Sequence, residues 1–80
     1  PAYIAVGAAG AVYRYLNEAG IEQSKEEAAK VLKDVSGLEA DSELAGMILD
    51  LYAYFLEGEP VAALRRAAQA AKTASLGKII

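Results

Sequence analysis

The segment that most constrains the fold runs from Leu44 to Leu56 and contains a single charged residue, Asp50. It is too short to cross a bilayer, which takes about 20 apolar residues in a helix. It is apolar on nearly every side, so a helix formed by it has to be covered on nearly every side. A chain of 80 residues has little material for that cover. We therefore expect neighbouring subunits to supply part of it.

The composition predicts one small all-α domain, spanning residues 1–80, that gains stability by assembly. Hydrophobic residues make up 55% of the chain, above the roughly 45–50% of ordinary domains, although a chain this short buries only about 60% of its unfolded surface. The chain has no cysteine, so no disulfide can reinforce it. Asn17 and Met47 are the only residues of their types, a scarcity of thermolabile side chains that suits a hot environment. We expect Pro1 to follow the removal of a Met or of a leader.

Capping residues and glycines predict four helices, at about 2–19, 25–36, 42–57 and 60–76. Ser24 and Glu27 form a capping box, Pro60 suits the first turn of the fourth helix, and Gly77 is expected to end it. One apolar stripe marks the second helix: Ala28, Val31, Leu32 and Val35. The links are short, which makes consecutive helices antiparallel neighbours. A closed four-helix bundle and two long, kinked antiparallel arms, made of helices 1–2 and helices 3–4, both fit this pattern.

Positive charge is concentrated at the C-terminal end. Residues 1–59 contain 4 basic and 11 acidic residues, a net charge of −7, whereas residues 60–80 contain 4 basic residues and no acid, and the two parts sum to −3. On a helical wheel the polar and basic side chains of the fourth helix lie opposite a face of alanines. The candidate nucleic-acid-binding residues are Arg65, Arg66, Gln69, Lys72, Thr73 and Lys78. We expect non-specific contact with a DNA backbone; contact with an acidic face of a neighbouring copy, or with solvent alone, is the alternative.

The apolar segments predict the surface through which copies assemble. The candidate self-assembly residues are Tyr3, Ile4, Gly7, Gly10, Met47, Leu51, Tyr52 and Phe55. A glycine inside a helix costs about 1 kcal/mol relative to alanine, so the two glycines predict the close approach of a helix or an aromatic ring. A frayed N-terminus is the alternative. We expect the tyrosines to pack in the core and at interfaces rather than to stack on bases, and Asp50 to pair with a basic residue.

Catalysis is not expected. The chain has no histidine and no cysteine, and it contains neither a phosphate-binding loop after a strand nor paired carboxylates in a catalytic frame. Gly7 and Gly10 follow no strand, so they are not a nucleotide fingerprint. We expect no metal, no cofactor, no small-molecule substrate and no membrane span.

The chain resembles the major coat proteins of filamentous and rod-shaped virions, and among them those of small rod-shaped archaeal viruses of the clavavirus type. The resemblance lies in its size, its processed-looking Pro1, the apolar arm from Ala2 to Tyr13 and the Ala-rich basic helix that carries Arg65, Arg66 and Lys72. It implies an extracellular virion in which hairpin subunits form a helical array around double-stranded DNA. Coat proteins of the inovirus type differ, because they carry one continuous apolar run of membrane length.

Two other functions remain open at this point. The first is a pilin-like subunit of an extracellular filament without nucleic acid, and the second is a small helical adaptor that binds one protein partner. The apolar arm favours the two assemblies over the adaptor, since a soluble adaptor would expose it. The basic fourth helix favours the virion over the empty filament. For the virion and for the filament, we expect many copies of the chain to associate.

Overall fold

Four helices make up the computed structural model, which describes the backbone of residues 2–39 and 41–79 and the side chains of residues 3–39 and 41–72. They are α1 (Ala2–Ala19), α2 (Lys25–Ser36), α3 (Glu43–Leu56) and α4 (Pro60–Ile79). The fold is therefore an all-α four-helix domain, as the sequence predicts. Helix α3 lies in the middle and contacts the other three helices, and α1 also contacts α2 and α4. The molecule measures 45 × 26 × 14 Å, so it is thin and its core is shallow.

The core is built largely from small side chains. Its buried members are Ala5, Ala9, Val12, Leu16, Ala28, Leu32, Ala45, Ile48, Leu51, Tyr52, Ala63 and Ala67. Six of these twelve residues are alanines, which lets the helices approach closely but buries little apolar surface per residue. Helices α1 and α3 pack against each other, and α2 and α4 each pack against both of them.

Local signals fix most helix ends. Ser24 Oγ accepts a hydrogen bond from the Glu27 amide at 3.1 Å, and Ser42 Oγ accepts one from the Ala45 amide at 3.2 Å. These bonds satisfy donors that the first turn of a helix leaves unpaired. Gly20 and Gly37 adopt φ values of +70° and +73°, the left-handed conformation that a glycine adopts at little cost. The capping serine and the glycine stops that end α1 and α2 are thus confirmed.

The fourth helix is longer than the sequence suggests. It continues through Gly77 to Ile79, whereas the prediction ended it at about residue 76. A glycine stops a helix only when it turns left-handed, and keeping it helical costs only about 1 kcal/mol. The sequence also predicts that Ile79 and Ile80 lie in a pocket rather than in a loose tail, and the side chains of both residues are outside the described residues.

Much of the cover of α3 comes from the same chain, and the expectation that neighbouring subunits supply part of it stays a prediction. Among its apolar residues only Leu44 and Leu56 are exposed. The reason is geometric: α1, α2 and α4 surround α3 because the short links fold each helix back against it. The exposed apolar surface lies instead on the outer helices, and Val35, which belonged to the predicted stripe of α2, is 76% exposed.

Candidate nucleic-acid interface

Helix α4 buries two of its alanines and exposes its described charges. Ala63 and Ala67 are buried against α1 and α3, and Pro60 occupies the first helical position, where its missing N–H costs nothing. Because alanine side chains are short, α4 lies close to its neighbours and its opposite face stands clear of the molecule. The predicted division of this helix into a smooth side and a polar side is therefore present only in part, because Val61, Leu64 and Ala68 are exposed together with the charges.

The basic side chains of α4 occupy two positions on the surface. Arg65 and Lys72 are exposed and lie seven residues apart on the outer face, about 10.5 Å along the helix axis. Gln69 is exposed on the same side. Arg66 is also exposed but borders the cleft between α3 and α4, together with Lys25 of α2. The side chains of Thr73 and Lys78 lie outside the described residues.

The lysines of α2 form ion pairs within the chain, whereas the described cations of α4 do not. Lys25, Lys30 and Lys33 each lie 4.0 Å or less from a carboxylate oxygen, of Asp50, Glu27 and Glu39 respectively. Within the described part of the chain, Arg65, Arg66 and Lys72 form no ion pair. The described cations of α4 thus have no ion-pair partner among the described residues, and Arg65 and Lys72 face outward. The pairing of Asp50 with a basic residue is confirmed, and its partner belongs to the same chain.

A row of acidic residues crosses the exposed side of α3, and the sequence analysis did not single it out. Glu43, Asp50 and Glu57 are all exposed and border the cleft between α3 and α4. They lie at intervals of seven residues, or two helical turns, so they share one face. The signal was visible in the sequence as a seven-residue spacing of acids. The spacing is easily overlooked because the residues between these acids are mostly apolar.

The candidate self-assembly residues divide between the surface and the interior. Tyr3, Ile4 and Gly7 are exposed, and Met47 is half-buried. Leu51 and Tyr52 are buried in the core of the chain itself, so they are not available to a neighbour in this fold. Gly10 and Phe55 meet each other: a Cβ built on Gly10 lies 3.4 Å from Phe55 Cζ. The aromatic ring expected near the glycines is thus found at Gly10, whereas nothing approaches Gly7 within 4 Å.

Tyr52 is the polar centre of the core. Its hydroxyl donates to Gln23 Oε1, and Gln23 Nε2 donates to the Tyr13 carbonyl at 3.0 Å. The ring of Tyr13 lies 6.4 Å from that of Tyr52 and 5.9 Å from that of Phe55, centroid to centroid. Burial raises the pKa of the Tyr52 hydroxyl above its usual value of 10.0; the nearby Tyr13 adds to the rise, and a hydrogen bond with the Ser24 backbone opposes it. Gln23 was not predicted from the sequence, where its only signal is an amide in the α1–α2 link.

Two further classes of site are absent from the described residues. No group of three or more acidic side chains there is arranged to hold a metal ion. None of the helices in the described ranges is both long enough and apolar enough to cross a membrane.

Comparison with known proteins gives no relative. No family model, no curated protein and no solved structure matches this chain.

Proposed function

We propose that this protein is the major coat protein of a helical, rod-shaped virion of the clavavirus type, in which many copies enclose a DNA genome. The observation that carries the proposal is the outer face of α4. Arg65 and Lys72 are exposed there and have no ion pair within the described residues, whereas each lysine of α2 is close to a carboxylate. An unpaired row of cations on a thin helix suits a phosphate backbone.

The proposed contact is electrostatic and independent of sequence. Arg65 and Lys72 are separated by about 10.5 Å along α4, which corresponds to about three phosphate steps of one DNA strand. A single copy brings few cations and binds weakly. In an assembled array the same cations recur along the duplex, and the repeated attachment supplies the affinity.

A second candidate is an extracellular filament without nucleic acid, and the acidic row of α3 favours it. Glu43, Asp50 and Glu57 repeat at seven residues, the interval that separates Arg65 from Lys72. The basic face of one copy would then lie on the acidic face of the next. Such a contact joins two different surfaces, so it propagates into an open chain of subunits rather than closing into a dimer.

The first experiment compares two double variants that remove the same charge. Arg65→Gln with Lys72→Gln is expected to abolish nuclease-protected DNA in purified particles. In binding assays it lowers the slope of log affinity against log salt by about 2. Lys25→Gln with Lys33→Gln is the matched control, and it is expected to change neither quantity. Equal behaviour of the two variants would refute the proposed role of α4.

The second experiment distinguishes the virion from the empty filament. Arg65→Glu with Lys72→Glu makes α4 acidic, and Asp50→Lys with Glu57→Lys makes α3 basic. If α4 binds α3 of the next copy, neither variant assembles alone, but an equal mixture of the two assembles into alternating filaments. If α4 binds DNA, the mixture does not restore assembly. Restored assembly without nucleic acid would replace the coat-protein proposal with the filament.

A further inference from the structure

A second surface, on the other side of the molecule, is apolar throughout. A groove of about 430 Å³ lies between α1, α2 and the start of α3, and none of its twelve lining residues is charged. Charged residues make up 24% of the chain, and 24% of twelve is about three. The cleft between α3 and α4, by contrast, is bordered by five charged side chains. The absence of charge from the groove therefore distinguishes it from the rest of the surface.

The walls of the groove are exposed to an unusual degree. Val35 of α2 is 76% exposed, and Ile4 and Tyr15 of α1 are 70% and 52% exposed. Single exposed apolar residues need no explanation, but a contiguous uncharged patch marks a contact surface. The exposed fractions of these three side chains amount to about 250 Å² of apolar surface on usual side-chain areas.

The residues that α1 contributes are spaced so that they complement themselves. Ile4, Ala8, Ala11 and Tyr15 line the groove in one stripe. If a second α1 crosses antiparallel to the first, a two-fold axis midway between Ala8 and Ala11 places Ile4 opposite the partner's Tyr15. The same axis places Ala8 opposite the partner's Ala11. Small residues then meet at the centre, where the helices are closest, and a large residue meets a large one at each end.

We propose that the groove is a two-fold interface that takes α1 of a second copy of this chain in an antiparallel orientation. A parallel pairing also matches each residue with its own copy, but it sets the two helix dipoles side by side in the same direction, which is unfavourable. An isologous contact requires this kind of self-complementarity. The proposal rests on the proposed function insofar as it names one contact of the assembly, but it involves no cation of α4 and no nucleic acid.

The expected dimer is weak. The exposed side chains of two copies supply about 500 Å², and the alanines, Val31 and Leu44 beside them bring the buried area to about 800 Å², the size of a weak or transient contact. Small contacts of this kind are usually weak, so we expect a dissociation constant on the order of 10 µM to 1 mM. A contact this weak is sufficient in an array, where each copy is held by several neighbours.

Cross-linking tests the orientation directly, because the chain has no cysteine of its own. In the antiparallel pair, residues 4 and 15 of different copies are opposite each other, while the two copies of residue 4 are about 16 Å apart along the axis. A mixture of Ile4→Cys and Tyr15→Cys chains is expected to form the disulfide-linked heterodimer under mild oxidation. Each variant alone is expected to form little dimer. Self-linking of both single variants would indicate a parallel pair and overturn the proposal.

Sedimentation of matched variants tests the surface without relying on cysteine. Ile4→Gln with Val35→Gln is expected to leave the chain monomeric up to about 1 mM, with unchanged helix content, since both side chains are exposed. The control is Val61→Gln with Leu64→Gln, which removes two similarly exposed residues from α4 and is expected to leave the dimer intact. A wild-type chain that is monomeric over the same range overturns the proposal, as does an equal effect of both variants.

The two proposals fail in different assays. Cross-linking and sedimentation are carried out on the purified chain without DNA, so they are unaffected by the role of Arg65 and Lys72. Loss of the specific cross-link with normal DNA protection would refute the groove contact alone. A normal cross-link with no DNA protection in any assembly would refute the coat function alone.

Discussion

Gly7 and Gly10 occupy the same helix but should respond differently to substitution, because their surroundings differ. A Cβ at Gly7 meets no atom within 4 Å, so Gly7→Ala changes only the helix propensity and the entropy of the unfolded chain. The expected gain is about 1 kcal/mol of unfolding free energy. For a domain of 60–100 residues, that is a rise in Tm of about 4–8 °C.

At Gly10 the nearby ring of Phe55 limits the size of the side chain that can be introduced. The new Cβ of Gly10→Ala would lie 3.4 Å from Phe55 Cζ and 3.5 Å from Phe55 Cε1, an ordinary contact at its tight end, so the variant should gain less than Gly7→Ala. Gly10→Leu places three further carbons against the ring, which already packs on Tyr13. Overpacking of this kind costs about 1–3 kcal/mol. The propensity gain of about 1 kcal/mol offsets part of it.

The relative stabilities of these glycine variants can be measured by thermal unfolding, followed by circular dichroism at concentrations where the chain is monomeric. We expect the Tm of Gly7→Ala to exceed that of Gly10→Ala and of the wild type, with Gly10→Leu lowest. A Tm for Gly7→Ala below that of the wild type would refute the open surroundings of Gly7. Gly7→Leu tests the assembly role of the same position: blocked assembly with unchanged unfolding would place Gly7 at a contact between copies.

Two further predictions concern the core. The pKa of Tyr52 is raised in the folded chain, so its contribution to stability is complete below pH 10 and declines as the pH rises past 10, because the unfolded state then loses the proton first. Tyr52→Phe removes both that titration and the hydrogen bond to Gln23. In thermal melts at pH 8 the variant should be less stable than the wild type by about 1 kcal/mol. This difference in stability should narrow above pH 10, and a difference that stays constant would contradict the reasoning. Leu16→Ala empties a fully buried site and should cost about 2–5 kcal/mol in denaturant titration, a loss that an exposed Leu64→Ala control should not show.

The features that could be predicted from the sequence are those decided by neighbouring residues. Ser24 caps α2 because its hydroxyl reaches an amide three residues away, and Gly20 and Gly37 end helices because they turn left-handed. The exposed and alanine sides of α4 follow from helical periodicity alone. Each of these depends on a window of a few residues, which the sequence supplies in full.

The features that could not be predicted depend on which helices meet. Leu51 and Tyr52 read as assembly residues because their segment is apolar all round, yet three helices of the same chain cover them. Val35 reads as a core residue because it continues a stripe, yet only Ala28 and Leu32 of α2 are buried, and Val35 is 76% exposed. The contact between Gly10 and Phe55 joins residues 45 positions apart. The periodicity of apolar residues indicates that one face of a helix is apolar, but it does not indicate which other surface covers that face.

The distribution of side-chain size gives a physical reason for assembly that does not depend on any resemblance. Half of the buried core residues are alanines, whereas Tyr3, Ile4 and Val35 are more than half exposed. Burial of apolar area is the main favourable term in folding, so a chain that hides small side chains and exposes large ones has left much of that term unused. The contacts between copies that we propose would remove those side chains from water. The uncharged groove and the basic face of α4 lie on different helices. A copy can therefore pair through α1 while α4 remains available to a different partner.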